Sequence, residues 1–254
     1  TPDHGWLSAR TLGGFVLGLA LLAVLARTEV RHPHPLVQPH LVRNRARVGA
    51  LATMALVIGA NFSMFFLLVQ YDERVLGFGP FETGLAFLPF SLGVFAMSRV
   101  TPRLLTRLGA RTMVMTGTAA MVVGYLWVSQ LGTSSSYVGA VLGPVLIAGL
   151  STGLVFLPIT ATVLGGVEPE HAGSASGLLQ TTQQLGGAVG VAAIVSVYAT
   201  GAVPGRFVPG VEAAFLTSAA FTLVAFLVSA LALPRLRPVE PVVERPEPEL
   251  VEAA

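Results

Sequence analysis

The chain has 254 residues, 53% of them hydrophobic and only 11% charged, with a mean hydropathy of +0.74. A soluble domain carries about 25% charged residues, so composition excludes an ordinary soluble domain and points to lipid as the main solvent. All 15 basic residues are arginine and are scattered over short segments, so the pI near 9.5 marks no nucleic-acid surface, and the lack of cysteine excludes disulfides, thiol catalysis and cysteine metal sites.

In chain order, the first residues, "TPDHGW", resemble neither a signal peptide nor a basic starter region, so the chain is expected to be a piece of a longer one. Seven apolar stretches follow, at 11–26, 49–69, 81–98, 112–131, 137–163, 174–199 and 212–233. Each approaches the roughly 20 residues that a helix needs to cross a bilayer. They are too long and too evenly apolar for barrel strands, and only helices or closed barrels satisfy their backbone in lipid. An all-α membrane protein with seven transmembrane helices is therefore expected. The fifth stretch carries Pro144 and Pro158 and is expected to kink. The tail, 234–254, is rich in Pro and Glu and reads as disordered.

Arginine sets the orientation. With the N-terminus outside, the inner segments 27–48, 99–111, 164–173 and 234–254 hold twelve arginines, and the outer ones hold only Arg10, Arg74 and Arg206. This bias follows the positive-inside rule. Trp6, Tyr71, Tyr125, Trp127, Tyr137 and Tyr198 then all fall near outer ends, as an interfacial belt does. The C-terminus is cytoplasmic in this reading, and an odd number of spans is expected upstream of residue 1.

The inner segment between the third and fourth spans reads "TPRLLTRLGARTMVM". It resembles the loop motif of the major facilitator superfamily, G-x-L-x-D-R-x-G-R-R. Arg107, Gly109 and Arg111 match, with Arg103 adding a further basic residue. Pro102, Thr106 and Ala110 depart from the first Gly, the Asp and one Arg, so the helix latch made by that Asp is in doubt here. "HGW" (4–6), "EVRHPHPLVQPHLVRNRARV" (29–48), "YDERVLGFGPFETGLAFLP" (71–89) and "GSASGLLQTTQQLGGAVGVA" (173–192) resemble, in order, segments of the fourteen-span drug:proton antiporter branch. The resemblance implies three parts. Residues 1–48 would be an extra membrane helix (about 11–26) with a cytoplasmic linker, 49–233 the C-terminal six-helix bundle, and 234–254 a cytoplasmic tail.

It also implies the C-terminal half of a proton-coupled multidrug-type efflux transporter in a bacterial inner membrane, working by alternating access. The partners implied are the lipid bilayer, the N-terminal half of the same transporter, protons and a small amphiphilic or drug-like substrate. No cofactor is called for, and no nucleic acid. A seven-helix receptor or a structural membrane subunit without transport activity fits the span count as the alternative.

No Asp, Glu, Arg or His lies mid-span, where such groups mark ion pathways. Asp72, Glu73 and Glu82 read as outer-edge residues. His4, His32, His34, His40 and His171 all lie outside the spans, and no metal site is expected. No nucleophile–base pair, phosphate loop or HExxH sequence appears, so an enzyme is not expected. The candidates are therefore amides and glycines. On a helix over 173–190, Ser176, Gln180, Gln183, Gln184 and Gly187 share one arc of about 140° with Gly173, Gly177 and Gly190. The pairs Gly173–Gly177 and Gly186–Gly190 have the GxxxG spacing of close helix contact. The amides either bond a neighbouring helix or line a substrate cavity. Asn61 poses the same choice, as does the Phe62, Phe65, Phe66 cluster. Pro144 and the surrounding "GAVLGPVLIAG" (139–149) are read as a kinked, closely packed helix.

Overall fold

The computed structural model describes residues 43–203 and 207–234, with scattered positions between 13 and 28. The expected first span and its linker lie largely outside these residues, as does almost all of the tail. The described part is helical. In chain order it forms α1 (Arg45–Arg74), a short α2 (Pro80–Ala86), α3 (Leu88–Val128), a π-helical turn (Tyr137–Val141) running into α4 (Leu142–Leu164), a 3-10 turn (Pro169–His171) running into α5 (Ala172–Gly201), and α6 (Val211–Ala232). Counting each short turn or helix with the one it joins, five segments among the described residues are long and apolar enough to cross a membrane.

One of the five is two arms. Gly109 interrupts α3 at φ 74°, ψ 160°, a left-handed conformation that a side chain disfavours and glycine accepts freely. Along α4, Phe90 and Gly93 meet Gly149, and Val94 and Met97 meet Gly153 farther on. Beyond Gly109 the order reverses, with Gly117 against Ser151 and Val155, and Gly124 against Pro144 and Ile147. Arms 88–108 and 110–128 therefore run in opposite directions. The inner segment 99–111, expected between spans, is helical on both sides of a single glycine. Pro102 sits inside the first arm without ending it.

Three side-chain ties align α1 antiparallel to α4 and the turn before it. At one end the Arg47 guanidinium donates to Val163 O (2.8 Å) and Gly165 O (3.2 Å), carbonyls at the C-terminal end of α4. A helix C-terminus leaves such carbonyls without partners and favours a cation there. Midway, the Asn61 amide donates to Thr152 Oγ1 (3.0 Å). At the other end the Tyr71 hydroxyl donates to Gly132 O (2.8 Å). Asn44 starts α1, its Oδ1 accepting from Ala46 N and Arg47 N.

The α1–α5 contact is backbone on backbone. A Cβ on Gly186 would strike the Ala55 backbone, and one on Gly190 the Gly59 backbone. Small residues four apart on both helices thus bring them together, running parallel. On its other side α1 meets α6, with Gly49 against Ala232. The buried core between these helices is apolar, with Met54, Met64, Met121, Ile159, Ile194 and Phe215 among its largest members.

Pro144 is buried at the start of α4. It has no N–H to offer the preceding turn, and the chain just before it, Tyr137–Val141, is wound as a π-turn. Inserted turns of this kind commonly accompany functional positions in helices.

Candidate functional site

On α5 the sequence-derived face divides along its length. Over its C-terminal half, Gly187 and Gly190 are buried and Gly186 half-buried, all against α1. Over its N-terminal half, Gly173, Ser176, Gly177, Gln180 and Gln184 are exposed, and a Cβ on Gly173 or Gly177 would meet nothing within 4 Å among the described residues. The stripe that packs is Ala175, Leu179, Gly187, Gly190 and Ile194. Gln183 lies half-buried on this seam, and Gln180 and Gln184 flank it in the open. Among the described residues none of the three amides has a hydrogen-bond partner. Leu185 and Val189, on the opposite side, are more than half exposed at 60% and 64%.

Phe62 of α1 extends the open face. Its ring lies over Gly187, about one turn from Gln183 and Gln184, and it stays 47% exposed. Phe66 is exposed one turn farther out. Phe65 turns inward, packing its ring on Phe87 (4.9 Å) and Phe90 (4.8 Å). The three phenylalanines of the cluster therefore face different surroundings: two are open and one belongs to the core. Two aromatic rings and two unpaired amides make a surface that can take an apolar body and hydrogen-bond a polar group on it.

Asn61 stands behind this face and is fully partnered. Its Oδ1 accepts from the Tyr125 hydroxyl (3.0 Å), its Nδ2 donates to Thr152 Oγ1, and that hydroxyl donates to Ala148 O (2.7 Å). Asn61 and Tyr125 are buried at 3% and 2% exposure. The chain joins α1, α3 and α4, and each such bond contributes about 1 kcal/mol.

The loop motif falls on the bend in α3. Gly109 is the buried turning point, Arg103 and Arg107 are exposed, and Arg111 is half-buried. Thr106, at the position of the motif's Asp, spends its hydroxyl on Arg103 O (2.8 Å), so no acidic latch is made there. Leu108, Arg111, Thr112, Met115, Thr116 and Phe226 line part of a groove of about 610 Å³ between α3 and α6.

One residue was missed. Asp72, read from the sequence as an outer-edge residue, has no solvent exposure, and neither carboxylate oxygen has a hydrogen-bond partner. Its neighbours Glu73 and Arg74 are exposed. A run Asp-Glu-Arg past the end of an apolar stretch reads as solvated, and nothing in it marks which of the three turns inward.

An all-helical chain with apolar spans, small-residue helix contacts and a glycine-centred basic bend is a multi-pass membrane protein of transporter type. Residues 3–191 match the model of the Major Facilitator Superfamily, and the chain belongs to that family. It is 33% identical over 253 residues to the cephamycin export protein CmcT of Amycolatopsis lactamdurans, covering 98% of this chain and 50% of that protein. It is 32% identical over 203 residues to the puromycin resistance protein pur8 of Streptomyces alboniger, covering 79% and 40%. To the multidrug resistance protein Stp of Mycobacterium tuberculosis it is 33% identical over 199 residues, covering 78% and 36%. The chain thus spans half or less of the length of these curated relatives.

Proposed function

We propose that this chain is the C-terminal half of a proton-coupled efflux transporter, with residues 49–233 forming one six-helix bundle. In this reading a counterpart bundle faces it across a substrate cavity, and rocking of one bundle against the other gives alternating access. Residues 1–48 supply the extra helix and linker, and 234–254 the cytoplasmic tail. The N-terminal end of the piece is outside and its C-terminus inside. The substrate is a small amphiphilic or drug-like molecule. Relatives named for cephamycin export, puromycin resistance and multidrug resistance support this class.

The observation that carries the proposal is the open inner half of α5. Gln180 and Gln184 are exposed on α5, and among the described residues no group satisfies them. In hydrocarbon an unpaired amide is costly, so the face belongs against a wet cavity or a polar partner. Gln183, half-buried beside Phe62, marks the edge of the cavity, and Phe62 and Phe66 supply its apolar wall. Arg103, Arg107 and Arg111 hold the α3 bend at the inner surface. Gly186, Gly187, Gly190 and Pro144 serve helix contact, and Gly173 and Gly177 keep the inner half of α5 smooth for a neighbour that moves.

The test is drug accumulation in cells carrying the full-length gene product. Gln180→Ala and Gln184→Ala are expected to lower export severalfold at unchanged membrane expression, and a protonophore is expected to abolish wild-type export. Export that survives both substitutions at wild-type level removes the amides from the cavity. Accumulation that never depends on the protein favours the receptor or structural-subunit alternative.

A further inference from the structure

We propose that the groove between the second arm of α3 and α6 holds one anionic phospholipid, with its phosphate on Arg111 and Thr112 and an acyl chain along the groove. Such a site needs only a membrane-embedded fold and is independent of the export reading above.

The polar end lies at the bend. Arg111 follows Gly109 by two residues and lines the groove half-buried. Among the described residues its guanidinium has neither a carboxylate nor a hydrogen-bond acceptor. Thr112 beside it is exposed, and its hydroxyl has no partner among the same residues. A fork of N–H donors with a hydroxyl at its side matches the oxygens of a phosphate.

Beyond that end the groove is apolar. Met115 and Ala119 of α3 face Phe226 of α6. Thr116 also lines it but spends its hydroxyl on its own helix, donating to Thr112 O (3.0 Å) and Met113 O (2.9 Å), so it adds no free polar group. From Arg111 to Ala119 the helix rises about 12 Å. One leaflet supplies half of a hydrocarbon core of about 30 Å. A headgroup at Arg111 therefore sets a chain over most of one leaflet's depth.

Charge selects the occupant. α3 carries no acidic residue, and the single acid of α6, Glu212, lies in its first turn. That turn meets Ser129 and Gln130, past the far end of the arm from Arg111. Arg103 and Arg107, exposed on the first arm, add positive charge near the bend. Basic pockets between membrane helices favour anionic headgroups. An apolar helix or a second copy seated in the groove would cover Met115, Ala119 and Phe226 yet bring Arg111 no anion. The described members of the first apolar stretch do not fill it either, since Val16, Leu17, Leu21 and Val24 are each at least 60% exposed.

The experiment is native mass spectrometry of the full-length protein in detergent, with phosphatidylglycerol or phosphatidylcholine added at equal concentration. Wild type is expected to retain one phosphatidylglycerol and to bind phosphatidylcholine about tenfold more weakly. Arg111→Gln is expected to abolish that preference, and Arg111→Lys to keep part of it. Ala119→Trp leaves the arginine in place, fills the groove at an exposed position and is expected to lose the adduct. Arg74→Gln, at the other end of α1, is expected to retain it. Inorganic phosphate in excess is expected to leave the adduct in place, because the chain as well as the headgroup is held. Equal retention of the two lipids by wild type, or an adduct that survives Ala119→Trp, overturns the site. So does an adduct lost equally in Arg74→Gln. Displacement by phosphate overturns the acyl-chain part, and a lipid-free dimer that Ala119→Trp dissociates assigns the groove to a second copy instead. Should Arg111→Gln fail to fold, Arg111→Lys, Ala119→Trp and the two wild-type arms still decide.

Discussion

Arg47 buries a charge that has no carboxylate beside it among the described residues, and does so by giving its donors to carbonyls at the C-terminal end of α4. Arg47→Ala leaves those carbonyls without that cation, and we expect a loss of about 1–3 kcal/mol, read as a lower thermal midpoint of the detergent-purified protein. Arg47→Lys keeps the charge without the planar fork, and should recover part of the loss. The Asn61 node behaves differently, because its partners are neutral and mutually dependent. Asn61→Leu strands the Tyr125 hydroxyl in a dry core at a cost of about 1–3 kcal/mol. Adding Tyr125→Phe removes the stranded group, so the double variant should be less unstable than the sum of the two singles. Coupling of about 0.5–3 kcal/mol is the range expected for residues in contact. Additive losses would show that the two side chains act separately.

Between helices, glycine does two distinct jobs. Gly59, Gly186 and Gly190 allow α1 and α5 to touch at the backbone, so Gly190→Leu is expected to separate the helices and abolish folded protein in size-exclusion chromatography. Gly177→Leu, at a position with nothing within 4 Å, is expected to leave folding intact and to impair only what docks on that face. Gly109 serves conformation instead. At φ 74° and ψ 160°, a region open essentially to glycine alone, Gly109→Val costs about 1–3 kcal/mol, plus crowding at a buried bend. Gly109→Ala meets the same backbone penalty with less bulk and should be the milder of the two, and the expression levels of the two variants order them.

At the scale of the molecule, the orientation proposed from the arginine distribution is open to direct measurement. These 254 residues hold no cysteine, so single cysteines placed in them report topology once any cysteine elsewhere in the full-length protein is replaced. Glu212→Cys, exposed at the start of α6, is expected to react with a membrane-impermeant maleimide in intact cells. Glu170→Cys, exposed before α5, is expected to react only after permeabilisation. The reverse pattern would invert every inside and outside assignment made above.

The solvent, the helical class and the family were legible in the sequence alone. Each depends on composition or on short contiguous patterns, such as the apolar runs, the arginine bias and the glycine in "RLGAR". It also marked Gly186–Gly190 as a contact, because GxxxG spacing places both residues on one helix face whatever the neighbour. It did not separate that pair from Gly173–Gly177, which has the same spacing and meets no neighbour among the described residues. The difference lies in α1, whose Ala55 and Gly59 meet α5 at Gly186 and Gly190. The same limit applies to polar side chains. Gln180, Gln183 and Asn61 all read as amides inside apolar runs, yet Asn61 is satisfied and the glutamines are not, because only Asn61 faces both Tyr125 and Thr152. Asp72 is the sharpest case. It is fully enclosed while its neighbours Glu73 and Arg74 are exposed, so no local pattern could announce a buried acid there. Burial and partnership are properties of what folds over a residue, and that was decided by the tertiary structure alone.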